Sequence, residues 1–264
     1  MIPVYDFVEG SIPLLVSVPH DGRELALGMK ERMTAIGLAL PDTDWYVRRL
    51  YQFAPNLGAS VISANYSRYV IDLNRPSTDE ELYKGQLFTG LCPSKTFGGE
   101  DIYLEGKTVS QSEKQERIEQ YWQPYHHKVS TELAQMKEKF GFGLLWDAHS
   151  IPSRVPSLFS GTLKILNIGT VDGTSCDHRL TEAVHEFANE SEYSAVVDGR
   201  FKGGYITRAH GNPDENVHAL QLEKAQRAYM YEDTLIYDET AAERFVQCLD
   251  TMLSTYVRTA QALY

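Results

Sequence analysis

The sequence predicts an α/β fold: a single three-layer domain over residues 1–264, with a mostly parallel or mixed central sheet flanked by helices. Three observations lead to this prediction. Short apolar runs with the length and period of strands recur along the whole chain. Segments with helical spacing lie between them, and strands that alternate with helices are typical of layered α/β proteins. The composition, 42% hydrophobic and 23% charged, is that of an ordinary globular chain.

The predicted strands are short, apolar or alternating runs bounded by turn-forming residues. They cover residues 12–18, 58–65, 69–73, 143–148, 163–169, 193–199 and 217–223. Helices are predicted at residues 42–56, 111–140, 177–190 and 240–262. The first helix starts behind a cap at Asp42 or Thr43, and the second ends at Gly141, which are residue types that favour helix starts and ends.

The segment 75–105 has no clear periodicity and combines glycine, proline and charged residues. Segments of this length and composition are often functional loops, so we expect a long ordered loop or lid over one edge of the sheet. The sequence contains neither a GxGxxG nor a GxxxxGK[ST] motif. A nucleotide cofactor therefore has no support.

Charge and composition exclude several partners. A formal net charge of −11 argues against nucleic acid and against an anionic membrane, because both require a cationic face. No apolar stretch approaches the ~18 residues of a membrane span. Asp6 and Glu9 stand where a secretory signal carries basic residues, and the cysteines (Cys92, Cys176 and Cys248) are few and scattered. We therefore expect a cytoplasmic protein with free thiols.

Polar residues collect where the apolar runs end. His20 follows the first run, Asp72 lies near the end of the third, His149 follows the fourth, and Glu223 ends the last. In open α/β sheets, ligands bind beyond the carboxyl ends of the strands, so these side chains are expected at one rim. Buried together, they would be too costly to desolvate unless paired or bound to a metal.

Two imidazoles with a carboxylate form the ligand set of catalytic zinc sites. A divalent metal, with zinc as the first expectation, would activate water for attack on a carbonyl, which fits amide hydrolysis. In "WDAH", Asp147 and His149 lie on the same side of a strand, and an acid so placed can hold an imidazole through its second nitrogen. A small anion such as a carboxylate substrate also suits a pocket lined by a few arginines.

Rival chemistries explain less of the pattern. Ser150 lies beside His149, but no GxSxG motif accompanies it, so a serine hydrolase is not favoured. A pair of carboxylates of the glycosidase type would leave the histidines unexplained. None of the remaining histidines is expected to bind the metal. Four of them lie in predicted helices and are interpreted as solvated: His126, His127, His178 and His185. His210 is placed in a turn, and His218 of the last strand is expected to support the site or to pack.

Six segments in order carry a family resemblance: "VSVPHDGREL", "DTDWYVRRLY", "GASVISANYSRYVIDLNRP", "LLWDAHSIPSRVPSLFSG", "FKGGYITRAHGNP" and "VHALQLE". Together they resemble the N-formylglutamate amidohydrolases, and the likeness extends over residues 10–230. The resemblance implies a metal-dependent enzyme that hydrolyses N-formyl-L-glutamate to L-glutamate and formate in histidine degradation. It also implies a fold similar to that of the zinc carboxypeptidases and aspartoacylases.

The resemblance implies roles for individual residues. His20 and His149 are expected to bind the metal. Aspartoacylases carry an H-x-x-E motif in which the glutamate is a ligand, but in "HDGRE" Glu24 comes one residue too late. Asp44 of "DTDW" is therefore the preferred third ligand, and Glu24 is the alternative.

The expected catalytic residues are Glu223, which transfers the proton, and Arg68, which stabilises the oxyanion. The dicarboxylate substrate requires cationic anchors, for which Asn74 with Arg75, and Arg208, are the candidates. Two alternatives remain. The chain could hydrolyse another N-acyl amino acid, or it could be a non-catalytic carboxylate-binding protein on the same fold.

Overall fold

The computed structural model describes residues 2–81 and 89–264. The strands are Tyr5–Val8 (β1), Leu14–Val18 (β2), Ser60–Ala64 (β3), Gly143–Ile151 (β4), Leu166–Gly169 (β5), Ala195–Val197 (β6), Val217–Ala225 (β7), Met230–Tyr231 (β8) and Ile236–Tyr237 (β9). The α-helices are Ala35–Leu38 (α1), Val47–Leu50 (α2), Gln111–Arg117 (α3), Gln123–Phe140 (α4), His178–Glu190 (α5), Tyr205–His210 (α6) and Glu239–Leu263 (α7).

Seven of the strands form one mixed sheet in the order β1-β3-β2-β4-β7-β5-β6. The central strands β3, β2, β4 and β7 are parallel, whereas β1 and β5 run antiparallel to their neighbours β3 and β7. The carboxyl ends of β2, β4 and β7 therefore lie at the same edge. This confirms the predicted mixed sheet and brings the residues that follow these strands together.

Apolar clusters cover both faces of the sheet. Leu144 and Trp146 of β4 belong to a cluster that includes residues of α5 and α7. Leu145 belongs to a second cluster, which includes residues of α4 and α6. Because successive side chains of a strand point to opposite faces, Asp147 and His149 lie on the same face as Leu145. The three-layer arrangement predicted from the sequence is thus confirmed, and the polar residues of β4 lie on the α4 side.

The predicted strand at residues 69–73 is wrong. This segment is a series of turns, in which Val70 N donates to Ser67 O and Arg75 N to Asp72 O. Buried Arg117 donates to the carbonyls of Tyr69 and Val70, so polar groups of this backbone are satisfied without a sheet partner. Apolar character alone cannot distinguish such a buried segment from a strand.

The predicted helix at residues 42–56 is also wrong in extent. The structure has only α2 and a 3₁₀ turn at Ala54–Leu57. Tyr46 adopts a left-handed backbone conformation with φ +65°, which separates α2 from the residues before it. Asp44 consequently lies in an irregular segment, where its backbone N donates to His20 O at 3.1 Å.

The long predicted helix at 111–140 is observed as α3 and α4 joined by a π-helical turn, Ile118–Trp122. Ser110 caps its start by accepting from Glu113 N, and Gly141 ends it in a left-handed conformation. The helices predicted at 177–190 and 240–262 correspond to α5 and α7. In the described ranges, no helix combines the length and apolar character needed to cross a bilayer.

The lid predicted at residues 75–105 includes residues 82–88, which lie outside the described residues. In the described part, Leu91 N donates to Asp79 Oδ1 at 2.6 Å, and Phe97 N donates to Asp42 Oδ2 at 2.9 Å. The Phe97 contact joins the loop to the residues that precede α2.

Candidate active site

Three buried residues from separate parts of the chain converge at the carboxyl edge of the sheet. His20 follows β2, Asp44 precedes α2, and His149 lies within β4. Their potential ligand atoms all lie within 4.8 Å of one another. Glu24, the alternative third ligand, is exposed and is not part of this group. The structure therefore favours Asp44 as the carboxylate of the set.

Asp44 is held by neighbours from two directions. Its Oδ2 accepts a hydrogen bond from Ser150 N at 3.0 Å and lies 3.1 Å from His149 Nδ1. Its Oδ1 accepts from Arg68 at 2.6 Å. Burial by itself would raise the pKa of Asp44, but the positive charge of Arg68 and the contacts with His149 and His20 lower it well below the usual range. Asp44 is thus an ionised carboxylate.

The neighbours of His20 define its tautomer. An Arg68 terminal nitrogen lies 2.5 Å from Nδ1, and because a guanidinium can only donate, Nδ1 must accept. The other ring nitrogen, Nε2, then donates to Asp72 Oδ1 at 2.8 Å. Burial and the adjacent Arg68 charge lower the pKa of His20. The ring is therefore neutral, with the Nδ1 lone pair directed into the group.

His149 has carboxylates on both sides. Its Nδ1 lies 3.1 Å from Asp44 Oδ2, and its Nε2 lies 3.0 Å from Asp147 Oδ2. Burial by itself would lower the pKa of His149, but the charges and hydrogen bonds of Asp147 and Asp44 raise it to about 10. Without a metal, the ring is consequently protonated, and a metal at Nδ1 would displace that proton.

The donor set fits a divalent metal ion. Each imidazole directs Nδ1 towards Asp44 and Nε2 towards a second carboxylate, Asp72 for His20 and Asp147 for His149. Carboxylates in this outer position orient metal-binding histidines and fix their tautomers. Two nitrogens and one carboxylate oxygen are also the ligand types of catalytic metal sites. These residues could therefore hold a metal ion.

Glu223 lies beside this group on β7, in register with His149 on β4. The side chain is buried, and its Oε1 has no hydrogen-bond partner among the described residues. Burial raises the pKa of Glu223 to about 7, and the negative charge of Asp44 adds to this effect. A carboxyl with such a pKa can accept and return a proton near neutral pH.

A cavity opens directly onto these residues, and its wall includes His20, His149 and Glu223. One part of the wall is apolar and is formed by Phe97, Leu158 and Phe201. Among the described residues, the cationic members of the wall are Arg68, Arg75, Arg200 and Lys202. A cavity with metal-ligand atoms, an acid and several cations suits an anionic substrate.

Asn74 and the "KGGY" glycines pack together in this wall. Asn74 Nδ2 lies 3.1 Å from His149 Nε2, and Asn74 Oδ1 accepts from Ile206 N at 2.8 Å. A Cβ atom on Gly204 would lie only 2.2 Å from Asn74 Nδ2, and Gly203 has φ +114°. Both glycines are therefore required by the local geometry, and both line the cavity.

The predicted anchors differ in position. Arg75 lines the cavity, and its NH1 donates to the Asn74 carbonyl at 3.2 Å. Arg208 is not among the described residues of the wall; its Nε is directed back to the Gly203 carbonyl at 3.3 Å. The described contact of Arg208 is therefore with the backbone of the wall, and its role as a substrate anchor stays a prediction.

The sequence analysis missed other residues of the wall, including Phe97, Arg200 and Gln221. Gln221 could have been found, because it lies two residues before Glu223 and therefore on the same face of the strand. Its Oε1 accepts from Gly204 N at 2.8 Å. Phe97 and Arg200 belong to irregular segments, which carry no periodic signal.

The interpretation of His126 as a solvated helix residue is wrong. His126 is buried; its Nε2 donates to the Leu73 carbonyl at 2.9 Å, and its Nδ1 lies 3.1 Å from His210 Nε2. His210 ends α6 rather than lying in a turn. Burial lowers the pKa of His126 to about 3 and that of His210 to about 4. The pair is neutral and supports the backbone next to Asn74.

Comparison with known proteins identifies a family. Residues 12–230 match the family described as N-formylglutamate amidohydrolase. N-formylglutamate deformylase of Pseudomonas putida is 47% identical over 245 residues, which are 92% of this chain and 91% of the relative. The enzyme of the same name from Pseudomonas aeruginosa is 48% identical over 233 residues, 88% of this chain and 87% of the relative.

A solved structure confirms the fold. N-formylglutamate amidohydrolase from Ralstonia eutropha JMP134 superposes with a TM-score of 0.83 at 24% identity, over 97% of this chain and 99% of the other. Since the family match covers most of the sequence and the Pseudomonas relatives share nearly half of their residues with it, the chain belongs to the N-formylglutamate amidohydrolase family.

Proposed function

We propose that this protein hydrolyses N-formyl-L-glutamate to L-glutamate and formate. The observation that carries the proposal is the buried group His20, Asp44 and His149. Beside it lies the Glu223 Oε1 atom, which has no hydrogen-bond partner in the described part of the chain. This arrangement opens onto a cavity with several cations in its wall. Membership of the family supplies the substrate class.

The metal ligands in this proposal are His20, Asp44 and His149, and the metal is zinc. When bound, zinc would act as a Lewis acid that polarises the formyl carbonyl and lowers the pKa of a water molecule. Asp72 and Asp147 hold the two imidazoles in the orientation that metal binding requires.

Glu223 carries the proton. As the water oxygen bonds to the formyl carbon, Glu223 accepts a proton from that water. It then delivers this proton to the nitrogen of glutamate as the C–N bond breaks. The side chain is buried, and its Oε1 accepts no hydrogen bond from any described residue, which supports this role.

The cationic residues stabilise negative charge on the substrate. Arg68, which is held between Asp44 and Asp72, stabilises the negative charge that develops on the formyl oxygen. Asn74 and Arg75 bind the α-carboxylate of the substrate, next to His149. Arg208 is a further candidate anchor; its Nε donates to the carbonyl of Gly203, which lines the cavity.

The proposal extends to the cellular setting. We place the reaction at the last step of histidine degradation, in the cytoplasm. The whole of residues 1–264 would act as a single catalytic domain, and the described part of the 75–105 segment supplies Arg75, Thr89 and Phe97 to the cavity wall.

The test is formate release from N-formyl-L-glutamate by the purified protein, with a chelator and after addition of zinc. We expect release that the chelator abolishes and zinc restores. Glu223→Gln should lower kcat by at least about 100-fold, within the range for a lost general base, while zinc stays bound. Glu24→Gln is the matched control, because Glu24 is exposed and lies outside the metal group.

Absence of release with every metal tested would overturn the proposal. Release of acetate from N-acetyl amino acids would then identify a different acyl specificity. Binding of glutarate without hydrolysis of any N-acyl amino acid would instead identify a carboxylate-binding protein.

A further inference from the structure

The segment from Arg68 to Arg75 carries much of the candidate site but has no regular structure. Arg68, Asp72, Asn74 and Arg75 all line the cavity. The segment consists of turns and lies outside the strands and helices. Such backbone needs partners from elsewhere, because buried carbonyl groups are costly to leave without a hydrogen bond. The partners of this segment therefore determine how firmly its side chains are held.

Side chains of one helical element supply these partners. Arg117 of α3 donates to two carbonyls near the start of the segment. Trp122 Nε1, at the end of the π-helical turn, donates to the Arg75 carbonyl at 2.9 Å. His126 Nε2, in α4, donates to the Leu73 carbonyl at 2.9 Å. Three donors from one helical element thus bind the backbone that carries the site.

The π-helical turn brings these donors to one side of the element. Arg117 and Trp122 are five residues apart. In an α-helix, residues at this spacing point about 140° away from each other around the axis. The turn instead contains a hydrogen bond from Gln123 N to the carbonyl five residues before it, and so takes up one extra residue. Arg117 and Trp122 can therefore face the same segment, and His126, four residues beyond Trp122, continues this face.

Trp122 is held by packing as well as by its hydrogen bond. The centre of its ring lies 3.9 Å from that of His126 and 5.5 Å from that of Tyr205. Tyr205 N in turn donates to the Asn74 carbonyl at 3.3 Å. Neither Trp122 nor His126 is among the described residues of the cavity wall. Their influence on a substrate would therefore pass through the backbone that they bind.

We propose that Trp122 and His126 are positioning residues for substrate binding. This inference rests on the proposed function, in which Asn74 and Arg75 bind the α-carboxylate of the substrate. By holding the carbonyls of Leu73 and Arg75, the two side chains fix the backbone on either side of Asn74. The α-carboxylate keeps its charge throughout the reaction, so loss of this support weakens the binding of substrate and transition state alike. Such a loss raises KM and leaves kcat nearly unchanged.

Trp122→Phe tests the first contact, because it removes the indole N–H and keeps an aromatic ring. We expect KM for N-formyl-L-glutamate to rise by about 3- to 10-fold, the effect of losing one hydrogen bond, with kcat within about twofold of the wild type. Zinc content should equal that of the wild type. Tyr121→Phe is the matched control and should keep the wild-type KM, since Tyr121 belongs to the same turn but packs its ring on Tyr66.

Two variants at His126 test the second contact. Glutamine can still donate to the Leu73 carbonyl from its amide nitrogen, whereas leucine cannot. Both variants remove the imidazole ring that stacks on His210. KM should therefore be at least about threefold higher in His126→Leu than in His126→Gln, the difference being one hydrogen bond. Equal KM values in the two variants would overturn the role of His126.

The results separate this inference from the proposed function. If the wild type releases formate and Trp122→Phe keeps the wild-type KM, the positioning role of Trp122 is overturned and the proposed function stands. A lower kcat with an unchanged KM would also overturn this role, because loss of folded protein alone has that effect. If the wild type does not release formate from N-formyl-L-glutamate, both proposals are overturned.

Discussion

Glu223 and His149 face each other in register on the neighbouring parallel strands β7 and β4. The pairing places a buried carboxyl, whose Oε1 has no partner within residues 2–81 and 89–264, next to the histidine of the proposed metal group. Both residues are on strands, which position side chains more precisely than loops do. The sheet therefore fixes the proposed proton carrier relative to His149, whereas Asp44 lies in an irregular segment and is held by hydrogen bonds from Ser150 N of β4 and from Arg68.

The third metal ligand can be tested by comparing two acidic residues. Asp44→Asn should weaken zinc binding by at least about 100-fold, because the variant loses a charged ligand. This loss exceeds the effect of removing a carboxylate that only orients a metal-binding histidine. Glu24→Gln should bind zinc as the wild type does, since Glu24 lies outside the group. Competition with a chromogenic chelator measures both affinities. Equal affinities for Asp44→Asn and wild type would exclude Asp44 as a ligand.

Asp147 should support zinc binding without touching the metal. Its Oδ2 lies 3.0 Å from His149 Nε2, and its Oδ1 accepts from Ser17 at 3.0 Å. Asp147→Asn should reduce zinc affinity by about 10- to 100-fold, the usual effect of losing an outer carboxylate. The control is Asp172→Asn, which removes a surface ion pair with Lys202. An unchanged affinity in Asp147→Asn would contradict the orienting role.

Much of the candidate site could be predicted because most of its residues lie at the carboxyl ends of strands. His20, His149 and Glu223 follow or end apolar runs, and the parallel order of β2, β4 and β7 brings them together. Strand periodicity is a local signal that the sequence carries directly. The choice of Asp44 over Glu24 needed the family resemblance, because both lie in irregular segments with no periodic signal.

The wrong or missing predictions from the sequence have a common physical origin. Residues 69–73 are as apolar as a strand, but Arg117 satisfies the carbonyls of Tyr69 and Val70, so the chain turns without a sheet partner. His126 has polar sequence neighbours, yet Leu73 and His210 provide partners that allow its burial. Arg200 enters the wall through a contact with Leu158, 42 residues away in sequence. Such long-range partners leave no trace in local patterns.

Gly204 should be required for activity because of its contact with Asn74. A Cβ atom at this position would lie 2.2 Å from Asn74 Nδ2, so Gly204→Ala must displace the Asn74 side chain. We expect kcat/KM for N-formyl-L-glutamate to fall by at least about tenfold, since small displacements of positioning groups are costly. In the control, Gly199→Ala, the atom nearest to the added Cβ is a side-chain carbon of Val196 at 3.1 Å. Equal losses in both variants would contradict a specific role of the Asn74 contact.

The buried pair His126 and His210 should make stability depend on pH. Their pKa values are lowered to about 3 and about 4, whereas an unfolded histidine has a pKa of about 6.5. Between these limits the unfolded chain binds more protons than the folded one, so the free energy of unfolding falls as pH falls below about 6.5. Each group contributes a slope of up to about 1.4 kcal/mol per pH unit, and the contribution ends below its folded pKa.

His210→Gln isolates one of these contributions. Glutamine can still donate to His126 Nδ1 from an amide nitrogen but does not titrate, so the variant should lose about one proton from the pH dependence of unfolding. Urea unfolding at pH 7, 6 and 5 measures the slope. His127→Gln, a change at an exposed neighbour on α4, should keep the wild-type slope. If His210→Gln also kept the wild-type slope, the pKa of His210 would have to be the same in the folded and the unfolded chain. Burial would then not be the cause that keeps the pair neutral.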